Sequence, residues 1–413
     1  MSRLDELIQE LCPNGVEYKK LSEFATISRG GSFQKKDFLA EGFPCIHYGQ
    51  IYTRYGLFAD RTLTFISDEC AKKQKKAVPG DIVMAVTSEN IEDVCKCLAW
   101  LGNDEVAVSG HSAIIHHNQN PKYLVYYFHT AAFFAQKRKL AHGTKVIEVT
   151  PDKLGNIEIP VPPLPVQREI VRILDNFTEL TAELTAELTA RKKQYEFYRD
   201  KLLTFGNVRG GATSEVAWRT LGEVCDVVDY RGKTPKKVDA GVFLITAKNI
   251  RMGYIDYEKS KEYISVDDYK EVMHRGLPKI GDVLITTEAP CGNVAMIDRE
   301  DVALAQRVIK YRPKKNSGLS SSFLKHVLMG KEFQDKLQRA STGGTVKGIK
   351  GSVLHQLTIP IPSREVQNRL VNVLDRFDTL CNDLTAGLPA EIEARQKQYE
   401  YYRDKLLSFK EKR

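Results

Sequence analysis

The chain contains an internal duplication, and this feature constrains its fold more than any other. Residues 194–205 read QYEFYRDKLLTF and residues 398–409 read QYEYYRDKLLSF, identical at ten of twelve positions. Upstream, IEIPVP at 157–162 corresponds to LTIPIP at 357–362, and LDNF at 174–177 corresponds to LDRF at 374–377. Self-similarity at a fixed offset is typical of repeated structural units. We therefore predict an internal pseudo-twofold repeat of about 200 residues.

The segments before these tails match more weakly, at similar offsets. VEYKKLSE at 16–23 corresponds to VAWRTLGE at 216–223, GDIV at 80–83 to GDVL at 281–284, and residues 46–51 to 245–250. In both halves, short β-rich runs alternate with turns and helical pieces. We predict an α+β protein whose two mixed α/β domains are separated by two long helices.

Apolar residues in both tails recur at spacings of three, four and seven, which indicates a heptad-like seam. Pro162, Pro163 and Pro165 mark the start of the first helix and Gly206 its end, so about 40 residues would span roughly 60 Å. The second tail is interrupted at 387–389, where we expect a kink or two segments. The predicted boundaries are a domain at 1–157, a helix at 158–206, a domain at 207–357 and a helix at 358–413. The seam residues that we assign to helix or partner packing are Leu174, Phe177, Leu184, Leu188, Tyr195, Tyr198, Leu202, Leu374, Phe377, Tyr399, Tyr402 and Leu406.

Composition excludes some classes of protein and weakly favours one kind of partner. Lys and Arg number 61 against 53 Asp and Glu, a net charge of +8 that favours a polyanionic partner without identifying one. No window approaches 18 consecutive apolar residues, and the charged, amphipathic N-terminus does not suit a signal peptide. The eight cysteines include no CxxC pair, and their number is ordinary for a protein of a reducing compartment, so we expect reduced thiols. We predict a cytoplasmic protein.

The sequence has none of the common catalytic motifs considered below. No GxGxxG follows a strand, residues 343–348 lack the spacing of a P-loop, and no [DNS]-Pro-Pro-[YF] motif of an amino-methyltransferase occurs. His116 and His117 would point to opposite faces of a strand, which disfavours a metal site. Pro151-Asp152-Lys153 lacks the Glu-x-Lys that a nuclease motif requires. We predict that the chain itself is not an enzyme and binds no metal.

Basic loops remain as candidate functional features. Phosphates are bound by Lys and Arg, and base edges by Arg, Asn and Gln. A single basic cluster is more often a solvated surface patch, but clusters recur at corresponding positions of both halves. The candidate DNA contacts are Lys35, Lys36, Tyr48, Gln50, Arg54 and Lys145 in the first half, and Arg231, Lys233, Lys236, Lys248, Asn249, Arg251 and Lys347 in the second.

The repeated KQYE[FY]YRDKLL helix after each variable domain resembles the DNA-specificity subunit of type I restriction–modification systems. The tandem tetrapeptide TAEL at 181–184 and 185–188 is similar to a repeat in the central spacer helix of that family. The resemblance covers the whole chain, and its helix motifs are specific. The second helix is four residues longer near Gly387 and has no TAEL, so the two helices are not equivalent.

The resemblance implies a specific role for each part. Each variable domain would be a target-recognition domain that reads one half of a split, asymmetric sequence in double-stranded DNA. The helices would pair as an antiparallel coiled coil, along which two modification subunits dock. These subunits would methylate adenine N6, and restriction (motor-nuclease) subunits would cleave DNA with ATP. S-adenosylmethionine, ATP and Mg²⁺ would then belong to the partners, and the isolated chain could form a homodimer. The alternative is a coiled-coil scaffold that joins two protein-binding domains without contacting DNA.

Overall fold

A computed structural model describes residues 2–205, 216–230, 235–344, 347–383 and 387–412 of the 413-residue chain. Its residues divide into two compact units. The first unit comprises Met1–Glu183 and Glu393–Arg413, and the second comprises Leu184–Ile392. Each unit therefore combines one globular domain with helical segments from both tails.

The globular part of the first unit contains thirteen short strands among its described residues. They are β1 (Tyr18–Lys20), β2 (Ala25–Arg29), β3 (Phe43–Ile46), β4 (Phe58–Ala59), β5 (Thr64–Ile66), β6 (Lys76–Ala77), β7 (Ile82–Ala85), β8 (Thr87–Ser88), β9 (Cys97–Trp100), β10 (Val106–Val108), β11 (Ser112–His117), β12 (Ile147–Glu148) and β13 (Glu158–Pro160). The helices are α1 (Arg3–Leu11), α2 (Leu21–Phe24), α3 (Tyr48–Thr53), α4 (Asp68–Ala71), α5 (Pro121–Tyr127), α6 (Ala131–Leu140), α7 (Pro151–Leu154) and the long α8 (Leu164–Leu202).

Two sheets form the body of the first unit. One has the strand order β2-β11-β7-β9-β4 and the other β5-β3-β10-β6. The continuous apolar run of β7 is buried along its whole length, as expected for a central strand covered on both faces. Within the second sheet, β3 and β10 run parallel, with Cys45 paired to Ala107 and Ile46 to Val108.

The second unit has a similar arrangement with different edge strands. Its strands are β14 (Ala217–Thr220), β15 (Cys225–Asp229), β16 (Lys237–Val238), β17 (Val242–Ile245), β18 (Tyr263–Ile264), β19 (Val283–Thr286), β20 (Val294–Met296), β21 (Val302–Leu304), β22 (Val308–Pro313) and β23 (Thr358–Ile361). Its helices are α9 (Leu221–Val224), α10 (Tyr269–Val272), α11 (Ser321–Met329), α12 (Lys331–Ala340), α13 (Gly351–Leu354) and α14 (Arg364–Asn382). The last helix, α15 (Leu388–Leu406), begins in the second unit, and its residues from Glu393 onward belong to the first. The sheets have the orders β15-β22-β19-β20 and β16-β18-β17-β21, and β17 and β21 are the parallel pair.

The long helices confirm the predicted helical seam. α8 has 39 residues and follows the proline-rich segment at 162–165. In the second unit, Phe377 of α14 stacks on Tyr195 and Tyr198 of α8, with ring centroids 6.4 and 6.2 Å apart. Lys192 and Arg191, earlier in α8, lie near Cys381, later in α14, so the two segments run antiparallel. In the first unit, Phe177 of α8 stacks on Tyr402 of α15 at 5.5 Å.

The predicted packing residues differ in burial. Leu174, Tyr195 and Leu374 are buried, whereas Tyr198 and Tyr402 are exposed at 39% and 36% although each stacks on a phenylalanine. The half-buried members are Phe177, Leu184, Leu188, Leu202, Phe377, Tyr399 and Leu406. The helix-ending Gly206 lies outside the described residues.

Each copy of the repeated tail packs on a globular domain through the equivalent aspartate, Asp200 or Asp404. In the second unit, the carboxylate of Asp200 accepts the Lys331 N–H at the start of α12, 3.0 Å away. In the first unit, Asp404 accepts the Ala131 N–H at the start of α6, 3.3 Å away. A carboxylate at a helix N-terminus satisfies a free N–H and interacts favourably with the helix dipole. The near-identity of the two tails therefore has a structural cause inside the chain.

Candidate nucleic-acid interface

The parallel strands of the first unit end at one edge of their sheet, and two turns leave from it. The first, residues 47–50, enters α3 and includes its first three residues, and the second is residues 109–111; together they are called the first carboxyl edge below. The Ser109 N–H donates to the Ile46 carbonyl at 3.1 Å, and the Tyr48 N–H donates to Ser109 Oγ at 2.9 Å. The rings of Tyr48 and His111 lie 4.9 Å apart. Loops at the carboxyl ends of parallel strands are frequent ligand sites.

A cleft of about 530 Å³ opens at this edge. Its polar and aromatic lining includes Lys35, His47, Tyr48 and His111. Glycines allow the backbone to pack closely beneath it, because a Cβ on Gly30 would lie 2.3 Å from the Ser109 carbonyl oxygen. The structure thus brings Lys35 and Tyr48 together and adds two histidines that the sequence analysis did not single out.

The two histidines of the cleft have different roles. His47 is 5% exposed, and burial, assisted by the neighbouring Lys35 and His111 side chains, lowers its pKa to about 4. The neutral His47 ring accepts the Gly49 N–H at Nδ1, 3.2 Å away, which fixes the turn into α3. His111 is exposed, and its Nδ1 is hydrogen-bonded to Thr87 Oγ1 at 3.1 Å. Its Nε2 forms no hydrogen bond with the residues that the structure describes, which leaves that nitrogen for a ligand.

The second unit has the same edge with different side chains. The Ala305 N–H donates to the Ile245 carbonyl at 2.9 Å, so the turns at 246–249 and 305–307 leave together; they are called the second carboxyl edge. Lys248 and Arg307 are exposed on these two turns. The carbonyl of Arg307 accepts the Thr287 N–H at 2.9 Å, just as that of His111 accepts the Val86 N–H at 3.0 Å in the first unit. Arg307 therefore corresponds to His111.

One further loop adjoins the carboxyl edge in each unit. Paired backbone hydrogen bonds close the loops between His142 and Glu148 and between Thr342 and Gly348. Glu148 pairs with Thr87, and Gly348 forms a bridge with Glu288, so each loop lies beside the segment next to His111 or Arg307. The loops carry the exposed lysines Lys145 and Lys347.

Both candidate amides make hydrogen bonds within the fold. Asn249 is fully buried; its oxygen accepts from the Thr246 N–H and hydroxyl, and its amide group donates to the carbonyls of Asp256 and Ser260. All four hydrogen-bonding positions are thus used inside the fold, which corrects the expectation that Asn249 contacts a base. Gln50 has the equivalent role, since it accepts the His47 N–H at 3.2 Å and donates to Thr64 Oγ1 at 3.2 Å.

The remaining basic candidates lie on the surface in both units. Arg251 follows the turn of Lys248 and lies 3.7 Å from Asp256, whereas Arg231 and Lys233 fall outside the described residues. Within the described ranges, none of the exposed basic candidates forms an ion pair, so their charges are available to phosphates. These candidates are Lys35, Lys36, Arg54, Lys145, Lys236, Lys248 and Lys347.

Two other features bear on function. In the part of the chain that the structure describes, no helix has the length and apolarity to span a bilayer, and no three His, Cys, Asp or Glu side chains cluster as metal ligands would. Of the adjacent histidines, His116 is hydrogen-bonded to Asp81 at 2.7 Å, and burial lowers the pKa of His117 to about 4.

Residues 13–191 and 213–394 each match the family described as the type I restriction modification DNA specificity domain. The two matches cover most of the chain, one in each half. The chain therefore belongs to this family.

Specificity subunits of type I restriction enzymes are similar to the chain along its length. The EcoR124I/EcoR124II subunit of Escherichia coli is 39% identical over 277 residues, which cover 61% of this chain and 63% of that subunit. A putative specificity subunit of Haemophilus influenzae is 31% identical over 321 residues, covering 75% of this chain and 76% of the relative. The EcoprrI subunit of Escherichia coli is 29% identical and covers 93% of both chains.

Solved structures have the same fold. The S subunit from M. genitalium has a TM-score of 0.52 at 13% identity, covering 95% of this chain and 96% of its own. A chain from a study of complex assembly and conformational transition of the type I R-M system has a TM-score of 0.61 at 19% identity, covering 96% and 98%. At such identities the likeness establishes the architecture alone.

Proposed function

We propose that the chain is the sequence-specific DNA-binding subunit of a type I restriction–modification complex and recognises a bipartite, asymmetric DNA site. The observation that carries this proposal is the pair of carboxyl edges. The same backbone frame presents Tyr48 and His111 in one unit and Lys248 and Arg307 in the other. Two units that share this backbone but present different side chains suit the recognition of two different DNA half-sites.

The charge distribution supports DNA over the scaffold alternative. Lys145 and Lys347 occupy equivalent loops beside the two edges, although the globular parts otherwise differ widely in sequence. Phosphate contacts by lysine give affinity and position the protein, while side chains at base edges give sequence preference. A scaffold for proteins would have no need of a lysine at both places. We assign the recognition domains to 1–157 and 207–357 and the spacer helices to 158–206 and 358–413.

The chemistry of modification and cleavage would belong to partner subunits. In this proposal two modification subunits transfer the methyl group of S-adenosylmethionine to adenine N6, and restriction subunits cleave DNA with ATP and Mg²⁺ in the cytoplasm. The chain contributes recognition and spacing. Its similarity to subunits named for specificity supports this division of roles.

The exposed face of the repeated tail supports two copies of one partner. Phe197 and Tyr401 are equivalent residues, exposed at 60% and 61%, and each has a lysine ammonium near its ring, at 5.9 and 5.8 Å. Packing inside the chain explains why the buried residues are the same in both tails. It does not explain why both tails have an exposed aromatic residue at the same position. Exposed aromatic residues are frequent anchors of protein interfaces. A modification subunit bound at each tail would account for both.

The decisive experiment is methylome sequencing of a methylation-free host that expresses the chain with its cognate modification subunit. We expect N6-methyladenine on a split, asymmetric motif. If both proteins are folded and associated and no such motif is found, the proposal fails and the scaffold becomes the better explanation.

The lysine loops allow a second test with the purified complex. We expect Lys145→Gln with Lys347→Gln to lower the slope of log K against log salt by up to about 2, because each lost phosphate contact removes about 0.9. Lys397→Gln, which removes a lysine paired with Glu393 at 2.6 Å on α15, is the control. An equal slope for wild type and the double variant would contradict the assigned surface.

A further inference from the structure

We propose that Arg307 reads a guanine in the half-site of the second unit, and that His111 is its counterpart in the half-site of the first. This inference rests on the proposed function and names specificity-determining side chains within it. The argument depends on where the two residues lie, how each is held, and what each leaves exposed.

The two residues occupy one place in the fold. Each is the last residue before a central strand, β11 or β22, and each carbonyl accepts an N–H from the neighbouring segment, from Val86 or from Thr287. Each also borders a turn that leaves the companion parallel strand.

The backbone of Arg307 has an uncommon conformation. Its φ of +68° is a left-handed conformation that a residue with a long side chain rarely adopts. Strained backbone of this kind is concentrated at functional sites. Its side chain is 56% exposed, so burial of the side chain does not account for the conformation. The turn therefore presents the guanidinium outward at the second carboxyl edge.

The contact with Glu288 distinguishes a base from a phosphate as the target. The Arg307 Nε lies 3.3 Å from the Glu288 carboxylate. This carboxylate offsets the positive charge and would repel a phosphate, but it leaves the two terminal nitrogens of the guanidinium as a fork of donors. Such a fork matches the O6 and N7 acceptors of guanine, which carry no net charge.

His111 offers different chemistry at the equivalent place. Its Nδ1 is engaged by Thr87, so one nitrogen, Nε2, remains for a base edge, and the Tyr48 ring lies against the imidazole. A single nitrogen cannot make the paired contact that Arg307 can make. The two units are therefore expected to prefer different base pairs at this position, as an asymmetric site requires.

The test is methylome sequencing with wild type, Arg307→Ala, Arg307→Lys and His111→Ala, each expressed with the cognate modification subunit. Arg307→Ala should lower the preference for one G·C pair about tenfold or more, in one half-site only. Arg307→Lys keeps the charge but lacks the fork, so it should relax the same pair. His111→Ala should relax a position in the other half-site, which makes each variant the control for the other.

The outcomes separate this inference from the function on which it rests. Absence of any split motif with wild type defeats the proposed function. A wild-type motif that stays sharp in Arg307→Ala, that relaxes at an A·T pair, or that relaxes equally in both halves overturns the inference alone. If Arg307→Ala abolishes methylation, Arg307→Lys decides: a sharp, unchanged motif there overturns the inference.

Discussion

Gln167 and Gln367 lie 200 residues apart in sequence and make the same hydrogen bonds in their respective units. The side-chain oxygen of Gln167 accepts the Asn120 N–H at 3.0 Å, and its amide group donates to the Pro162 carbonyl at 2.8 Å. Gln367 accepts the Ser320 N–H at 3.0 Å and donates to the Pro362 carbonyl at 2.9 Å. Both glutamines are fully buried. Gln167 therefore fixes the start of α8 to the start of α5, and Gln367 fixes the start of α14 to the start of α11.

Replacing either glutamine with leucine should destabilise its unit. The change leaves a buried N–H and a buried carbonyl without partners, at a cost of about 1–3 kcal/mol for each, so we expect a loss of about 3 kcal/mol in the free energy of unfolding. Urea unfolding of Gln167→Leu and Gln367→Leu measures this loss. Gln398→Leu, at an exposed position of α15, is the control. Equal urea midpoints for the buried and exposed variants would show that these glutamine hydrogen bonds contribute nothing to stability.

The duplication made the architecture predictable from the sequence, and the helix seam was predictable with it. Repeated motifs at offsets of about 200 residues indicated two equivalent units, and the periodicity of residues such as Leu174 and Leu374 indicated the buried face of the helices. The repeat can be read directly from the sequence, and the periodicity is a local pattern that follows from helical geometry. The contact of each tail with a globular domain was not predictable, because it depends on which distant segment the tail meets.

The residues at the carboxyl edges were harder to find. Val86 and Thr287 are 201 residues apart, but His111 and Arg307 are 196 apart, because the intervening loops differ in length. Only the backbone hydrogen bonds reveal that these residues correspond. Asn249 shows a second difficulty, since an amide that caps a turn and one that reads a base look alike in sequence. Burial distinguishes them, and burial there is a property of the folded unit.

The buried histidine of the cleft should make the first unit sensitive to acid. The pKa of His47 falls from 6.5 to about 4 on folding, so between these values the unfolded state binds more protons. Stability is therefore complete above pH 6.5 and declines as the pH falls towards 4, by roughly 3 kcal/mol for this group. His47→Asn, which keeps an acceptor for the Gly49 N–H, should reduce the decline in melts recorded at several pH values, while the partly buried His117 and His129 of the same unit keep their share of it. The same decline in the variant, with an unchanged melt at pH 8, would assign it to other groups.

The exposed aromatic residues of the tails should anchor the partner subunits. Loss of an interface anchor costs about 2 kcal/mol, so Phe197→Ser and Tyr401→Ser should each weaken binding of one modification subunit about 30-fold. Native mass spectrometry should then show complexes with one copy for the single variants and almost none for the double variant. Val266→Ser, which removes a 69% exposed apolar side chain from the second globular domain, is the control. Two bound copies with the double variant at unchanged affinity would exclude these residues as anchors.

The TAEL repeat should set the gap between the half-sites. α8 is continuous through both tetrapeptides, and the division between the two units falls between Glu183 and Leu184, inside the repeat. Deleting residues 185–188 removes about 6 Å of helix and slightly more than one turn, so the apolar face is nearly kept while the helix is shortened. We expect methylome sequencing of this variant to show both half-sites unchanged with a different gap.

A control that keeps the length separates spacing from sequence. Thr181→Ala with Thr185→Ala alters both tetrapeptides but leaves α8 at 39 residues, and alanine favours the helix. This variant should retain the wild-type gap if helix length is what the repeat contributes. A deletion variant with the wild-type gap, or a length-preserving variant with a changed gap, would show that α8 does not determine the spacing.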